Sequence, residues 1–132
     1  MNNCNAGVDS ITVAPNGNFY ICPAFYLSND RACGNSVDGV NIPNNHLYQI
    51  ERAPICRECD AYHCRRCVKL NKQLTLEINT PGHQQCVMAH VERKVAKLLL
   101  NEIRKYGEYA PNVSIPDIDY NDPFYKIINQ RK

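Results

Sequence analysis

Cys56, Cys59, Cys64 and Cys67 form the run C-x2-C-x4-C-x2-C. A C-x2-C pair sets two sulfurs on one tight turn, so both can reach one metal centre while the turn's amides point at them. The four residues between the pairs leave a short excursion for closing one zinc tetrahedron from the opposite side, which zinc ribbons achieve with longer spacers. Four more cysteines, Cys4, Cys22, Cys33 and Cys86, are dispersed along the 132 residues.

Crowding of this kind is found in bacterial ferredoxins, where a closely spaced fourth cysteine serves the neighbouring cluster. The same logic lets three of the four central cysteines bind one cluster while the fourth crosses to a second. Eight thiolates divide evenly into two four-cysteine sites, with the dispersed cysteines as the missing ligands. That division does not name the metal, since iron and zinc both accept four thiolates. A zinc-binding structural or interaction module is therefore the rival reading. Cys56-x2-Cys59-x4 resembles the start of a zinc knuckle, but Cys64 and Cys67 follow where a knuckle expects histidine and then one cysteine.

Four disulfides would suit a secreted miniprotein. The start, Met1–Asn5, has neither a basic nor an apolar segment, so a signal peptide is not expected and a reducing cytoplasm is. The longest strongly apolar stretch, around Leu98–Leu100, is far too short for a membrane span. A formal charge of +2 gives no footprint for nucleic acid, and the eight tyrosines form no evident stacking platform. Neither nucleic acid nor membrane is expected as a partner.

The elements that must position these sulfurs read as a small α+β fold. Ser10–Ala14 and Phe19–Cys22 flank Pro15-Asn16-Gly17-Asn18 as an N-terminal β-hairpin. Residues 28–46 read as an irregular loop, Leu47–Ile50 as a helical turn, and 55–70 as metal-organised loops and tight turns. A long amphipathic helix is expected from Pro81 or Gly82 to Tyr106, capped by Thr80, opened by Pro81 and closed by Gly107. Val87, Val91, Val95, Leu98, Leu99 and Ile103 recur at three- and four-residue steps and give it one apolar face. Lys94, Lys97, Arg104 and Lys105 populate the remainder as a solvated face. Residues 1–107 form the cysteine-rich domain, and 108–132 a proline-punctuated tail with a short helix from Asp122-Pro123 through Ile128.

Cys4-x12-Gly17-x4-Cys22, the four-cysteine run and Cys86 together resemble the SPASM domain. That module carries auxiliary iron–sulfur clusters at the C-terminus of radical S-adenosylmethionine enzymes that modify peptides. The central run has x4 and x2 where the family pattern has x5 and x3. Glu77–Pro81, Gln84-Gln85-Cys86 and His90–Arg93 resemble, more narrowly, maturases of CXXX-repeat peptides. The resemblance implies two [4Fe-4S] clusters that pass electrons and position a precursor peptide. By its wiring Cys56, Cys59, Cys64 and Cys86 ligate the distal cluster, and Cys4, Cys22 and Cys67 the one nearer the catalytic domain. Cys33 is either that cluster's fourth ligand or a spare thiol that leaves one iron open to substrate. The implied partners are a radical S-adenosylmethionine catalytic domain and the peptide, which would dock by adding a strand to the Ile11–Cys22 hairpin edge. No C-x3-C-x2-C motif is present, so the chain by itself is not expected to start radical chemistry.

The histidines read more plainly. His63 lies within the cysteine run, yet enough thiolates surround it for an outer-shell or exposed role. His46, His83 and His90 read as surface or helix-capping residues. Arg65 and Arg66 either offset thiolate charge or are simply solvated.

Overall fold

The computed structural model describes residues 4–59, 61, 64 and 67–129. The chain divides into two compact units, Met1–Arg57 with Arg65–Pro81, and Glu58–Cys64 with Gly82–Lys132. The boundary expected at residue 107 falls inside the second of these.

The first unit is built on a four-stranded antiparallel sheet in the order β1-β2-β3-β4. Strands β1 (Thr12–Val13) and β2 (Asn18–Tyr20) form the expected hairpin, with Thr12 opposite Tyr20 and Val13 opposite Phe19. Its turn closes because Gly17 adopts φ +81° and Asn16 Oδ1 accepts the Asn18 amide at 3.1 Å. The loop expected over 28–46 instead contains β3 (Gly34–Asn35) and β4 (Gly39–Val40), which pair with each other while β3 also pairs with β2. Asn35 Oδ1 accepts the amides of Val37 and Asp38 at 2.8 and 2.9 Å, and Gly39 takes φ +79°. These are the ordinary devices of an Asp-Gly hairpin. The Asn, Ser and Gly content that suggests an irregular loop is here the chemistry of a tight turn.

Helix α1 (Pro23–Leu27) follows β2 at once, with Cys22 as its extended N-cap and Pro23 at the first position, where a missing amide costs nothing. Short 3-10 turns cover Asn45–Tyr48 and Ile50–Arg52, where a helical turn is expected, and a third covers Cys56–Glu58. Helix α2 (Val68–Thr75) then begins with Cys67 as N-cap. Regular structure thus enters the last residues of a stretch expected to be loop only. Leu76 ends α2 in the left-handed region at φ +65°, while Thr75 Oγ1 lies 2.9 and 2.7 Å from the carbonyl oxygens of Asn71 and Thr80, to which its one proton can be given.

Ala6, Ile21, Phe25, Cys33, Tyr48 and Val68 form the core of this unit. Asp30, just past α1, clips the two helices together. It accepts from Lys69 Nζ, from Lys72 Nζ at 2.7 Å and from Ser28 Oγ at 2.7 Å. Both ammonium groups also lie over the Phe25 ring, at 5.0 and 5.3 Å from its centroid. Lys69, first among these partners, with Lys72 and Ser28, holds the Asp30 carboxyl well below the usual carboxylate range.

The second unit is organised by α3 (His83–Arg104) and α4 (Pro123–Asn129). Helix α3 has close to its expected length, but its start differs. Gly82 is the N-cap and Pro81 lies before it, while Gln85 Oε1 accepts the Gly82 amide at 3.0 Å. Gly107, at φ +155°, lies past the end, as its position in the sequence predicts. Helix α4 begins where Asp122-Pro123 predicts, and Asp122 Oδ1 accepts the Phe124 amide at 2.9 Å. Arg104 turns the intervening segment by donating to the carbonyls of Tyr109, Ala110 and Val113 at 3.2, 2.5 and 2.7 Å.

The buried side of α3 is not its apolar stripe. Cys86, Ala89, His90, Arg93 and Leu100 are buried, whereas Val91, Val95, Leu98, Leu99 and Ile103 are exposed. At 100° per residue Val91, Val95, Leu98 and Leu99 lie across the cylinder from the centre of the buried set, Ile103 lies at its margin, and Val87 is half-buried. On the buried side, within this unit, His90 meets Cys59 and Tyr120, and Arg93 lines a hollow with residues 116–119. Among the described residues, no helix is long and apolar enough to cross a membrane.

Candidate metal centres

None of the eight cysteines is joined in a disulfide. Five belong to the first unit, and three of these share its core. Cys33 is one of the core residues, and Cys4 and Cys22 are half-buried against them. The sheet fixes Cys33 from both sides. Its amide donates to the Phe19 carbonyl at 2.8 Å, and its carbonyl accepts the Asn41 amide at 2.7 Å. Burial pushes the Cys33 thiol up and, acting on Tyr48, raises that phenol as well. Cys33 and Tyr48 also line a hollow of about 560 Å³ with Phe25, Asp30, Arg31 and Lys72. Cys22 and Cys67 each cap a helix, and Cys67 is followed directly by the core residue Val68. Cys56, in the third 3-10 turn, lies two residues before the second unit begins.

The second unit contains Cys59, Cys64 and Cys86. Cys64 is set by a turn in which its amide donates to the Ala61 carbonyl at 2.9 Å, and Cys86 is buried in the first turn of α3. Cys59 has the most defined surroundings. Its Sγ accepts the Ala61 amide at 3.3 Å and lies 3.2 Å from His90 Nε2. On the far side of the ring, Arg93 Nη2 lies 3.1 Å from His90 Nδ1. A guanidinium has no acceptor, so Nδ1 must accept. The ring is therefore the neutral tautomer with its proton on Nε2, and it donates to the Cys59 sulfur. Sulfur accepting two N–H donors is the arrangement that stabilises a metal-bound thiolate.

His90 is 0% exposed and Arg93 3% exposed, which corrects the surface or capping role expected for His90. Tyr120, from the segment expected to be a tail, packs on the imidazole with ring centroids 5.4 Å apart. The sequence carried a signal for this group: Cys86, His90 and Arg93 are spaced i, i+4 and i+7, on one side of a helix. A search for apolar periodicity passes over them because two of the three are polar. His83 does lie at the start of α3, where Nε2 meets Asp122 Oδ2 at 2.7 Å. Burial pushes the Asp122 carboxyl up, but the bonds from His83 and the Phe124 amide outweigh it and leave the group below its ordinary value. His46 is exposed in the first 3-10 turn. His63, Arg65 and Arg66 lie outside the described residues, as do Asp60 and Tyr62.

Among the described residues, no three His, Cys, Asp or Glu side chains converge on a point where one metal ion would sit. The residues fit a thiolate-ligated group by donor chemistry. Cys59 has an environment suited to a charged sulfur, and Cys4, Cys22 and Cys33 gather at one core. The chain matches no family model, no curated protein and no solved structure.

Proposed function

We propose that this chain is an iron–sulfur domain whose eight cysteines hold two four-iron clusters. More narrowly, its cysteine pattern fits the auxiliary-cluster SPASM domain of a radical S-adenosylmethionine peptide maturase, of the kind acting on CXXX-repeat peptides. The carrying observation is the Cys59 sulfur, which accepts N–H donors from both Ala61 and the buried His90.

The division of the chain agrees with this wiring for seven of the eight cysteines. Cys4, Cys22 and Cys67 belong to one unit, with Cys33 as the candidate fourth ligand, and Cys59, Cys64 and Cys86 belong to the other; Cys56 falls in the first unit. When bound, such clusters supply one-electron transfer at potentials set by ligands, hydrogen bonds and solvent access. The chain's part is to hold the sulfurs and donate hydrogen bonds to them. It also offers a peptide the outer edge of β1, since the other side of β2 is taken by β3. A radical S-adenosylmethionine catalytic domain is the partner that would generate the substrate radical.

Anaerobic reconstitution with iron and sulfide tests this reading. Two thiolate-ligated four-iron clusters predict about eight irons per chain and a broad visible chromophore. Stoichiometric zinc that iron does not replace, with no chromophore, would overturn the assignment in favour of a zinc module.

A further inference from the structure

Arg93 is buried in the second unit, yet among the described residues no carboxylate bonds its guanidinium. Asp117 and Asp119 line a hollow of about 430 Å³ with it, but Asp117 pairs with Lys97. Nη1 is buried with no hydrogen-bond partner, and Nη2 is directed to His90 Nδ1 at 3.1 Å. A buried cation without a counter-charge is costly unless negative charge lies close by. Among the described residues, this arginine's hydrogen-bond chain runs through His90 to the Cys59 sulfur, one imidazole away.

We infer that Arg93 and His90 form a hydrogen-bond relay that offsets negative charge on the Cys59 sulfur and raises the reduction potential of the centre Cys59 ligates. This rests on the cluster reading above. Arg93 fixes the tautomer by donating to Nδ1, and Tyr120 packs against the ring, so His90 Nε2–H remains aimed at sulfur. A hydrogen bond to a ligating sulfur withdraws electron density from it and stabilises the reduced, more negative state of the cluster. His90 and Arg93 are positioning residues in this scheme. His90 is not a general base towards the Cys59 thiol, because its Nε2 already carries the proton.

The test uses the full chain, reconstituted anaerobically and titrated redox-potentiometrically with paramagnetic resonance as readout. His90→Ala should move one of two potentials negative, leave the other in place and retain iron. His90→Gln, which keeps an amide N–H donor, should recover part of that shift. Arg93→Ala should move the same potential in the same direction by less. Unchanged potentials in His90→Ala and His90→Gln, with iron retained, would overturn the relay. Nitrogen-15 spectra of the metal-free chain give a readout that does not depend on iron. An Nε2–H tautomer that Arg93→Ala scrambles is expected, and an Nδ1–H tautomer or an imidazolium in the unsubstituted chain overturns the relay. Failure of iron to load tells instead against the cluster reading, and the tautomer still decides the relay.

Discussion

Arg93 and Leu98 lie on opposite sides of α3, and it is the arginine that is buried: Leu98 is 66% exposed and Arg93 3%. Five residues at 100° each place them about 140° apart around the helix. The apolar stripe therefore adds little to the stability of this chain. Replacing Val95 and Leu98 together by Glu should change unfolding free energy by less than about 0.5 kcal/mol per site. Leu100→Ala, on the buried side, should cost about 2–3 kcal/mol. Urea unfolding followed by circular dichroism compares the two. Equal losses would contradict the observed orientation of the helix.

Asp30 ties α1 to α2 through Lys69 and Lys72, and its carboxyl is held below the ordinary value of 3.8. A depressed folded pKa means the unfolded chain takes up its proton first as acid is added. The stabilisation is therefore fully present above about pH 5 and is lost as pH falls through the ordinary value towards the lower folded one. Asp30→Asn should cost about 1–3 kcal/mol at neutral pH, because it leaves two ammonium groups without their acceptor. It should also flatten the acid limb of a stability–pH curve. An acid limb identical to that of the unsubstituted chain would count against the clip.

Gly34 tests the second hairpin and its link to Cys33. It has φ +147°, and a Cβ there would lie 2.0 Å from the Gly39 carbonyl oxygen. Gly34→Ala must therefore separate β3 from β4, at an expected cost of more than about 3 kcal/mol. At Gly17 the nearest atom to an added Cβ is Ser36 Oγ at 3.2 Å, so Gly17→Ala should cost only about 1 kcal/mol. Thermal unfolding ranks the two. Iron loading of the first unit should fall in Gly34→Ala, since its strand adjoins Cys33.

Asp122 serves α4 twice, as N-cap acceptor for Phe124 and as partner of His83. Asp122→Ala should cost about 1–2 kcal/mol locally. Hydrogen exchange should register it as faster exchange across Pro123–Asn129, with the centre of α3 unchanged. Uniformly faster exchange along α3 would show that the pair supports more than α4.

The extent of α3, the Gly17 hairpin and the start of α4 at Asp122 were legible because each depends on local chemistry. Helical periodicity, a left-handed glycine and an Asx cap all act within a few residues. Helix α2 and the β3–β4 pair were less legible. Asn35 to Gly39 carries turn residues that suit a loop and a hairpin equally, and only pairing of β3 with β2 makes the segment a strand. The exposed face of α3 was legible as apolar, but its direction was not.

For the candidate centres, the sequence set out the eight cysteines and the close spacing of four of them. Spacing could not reveal that His90 and Arg93 stand behind Cys59, because that relation joins residues thirty-one and thirty-four positions apart in the chain. A sequence specifies which side chains can ligate and which segments are locally helical or extended. Tertiary structure decides which side of a helix is buried, and with it which nitrogen reaches which sulfur. That choice depends on packing and on the cost of burying a charged group, and neither can be computed from neighbours in the chain.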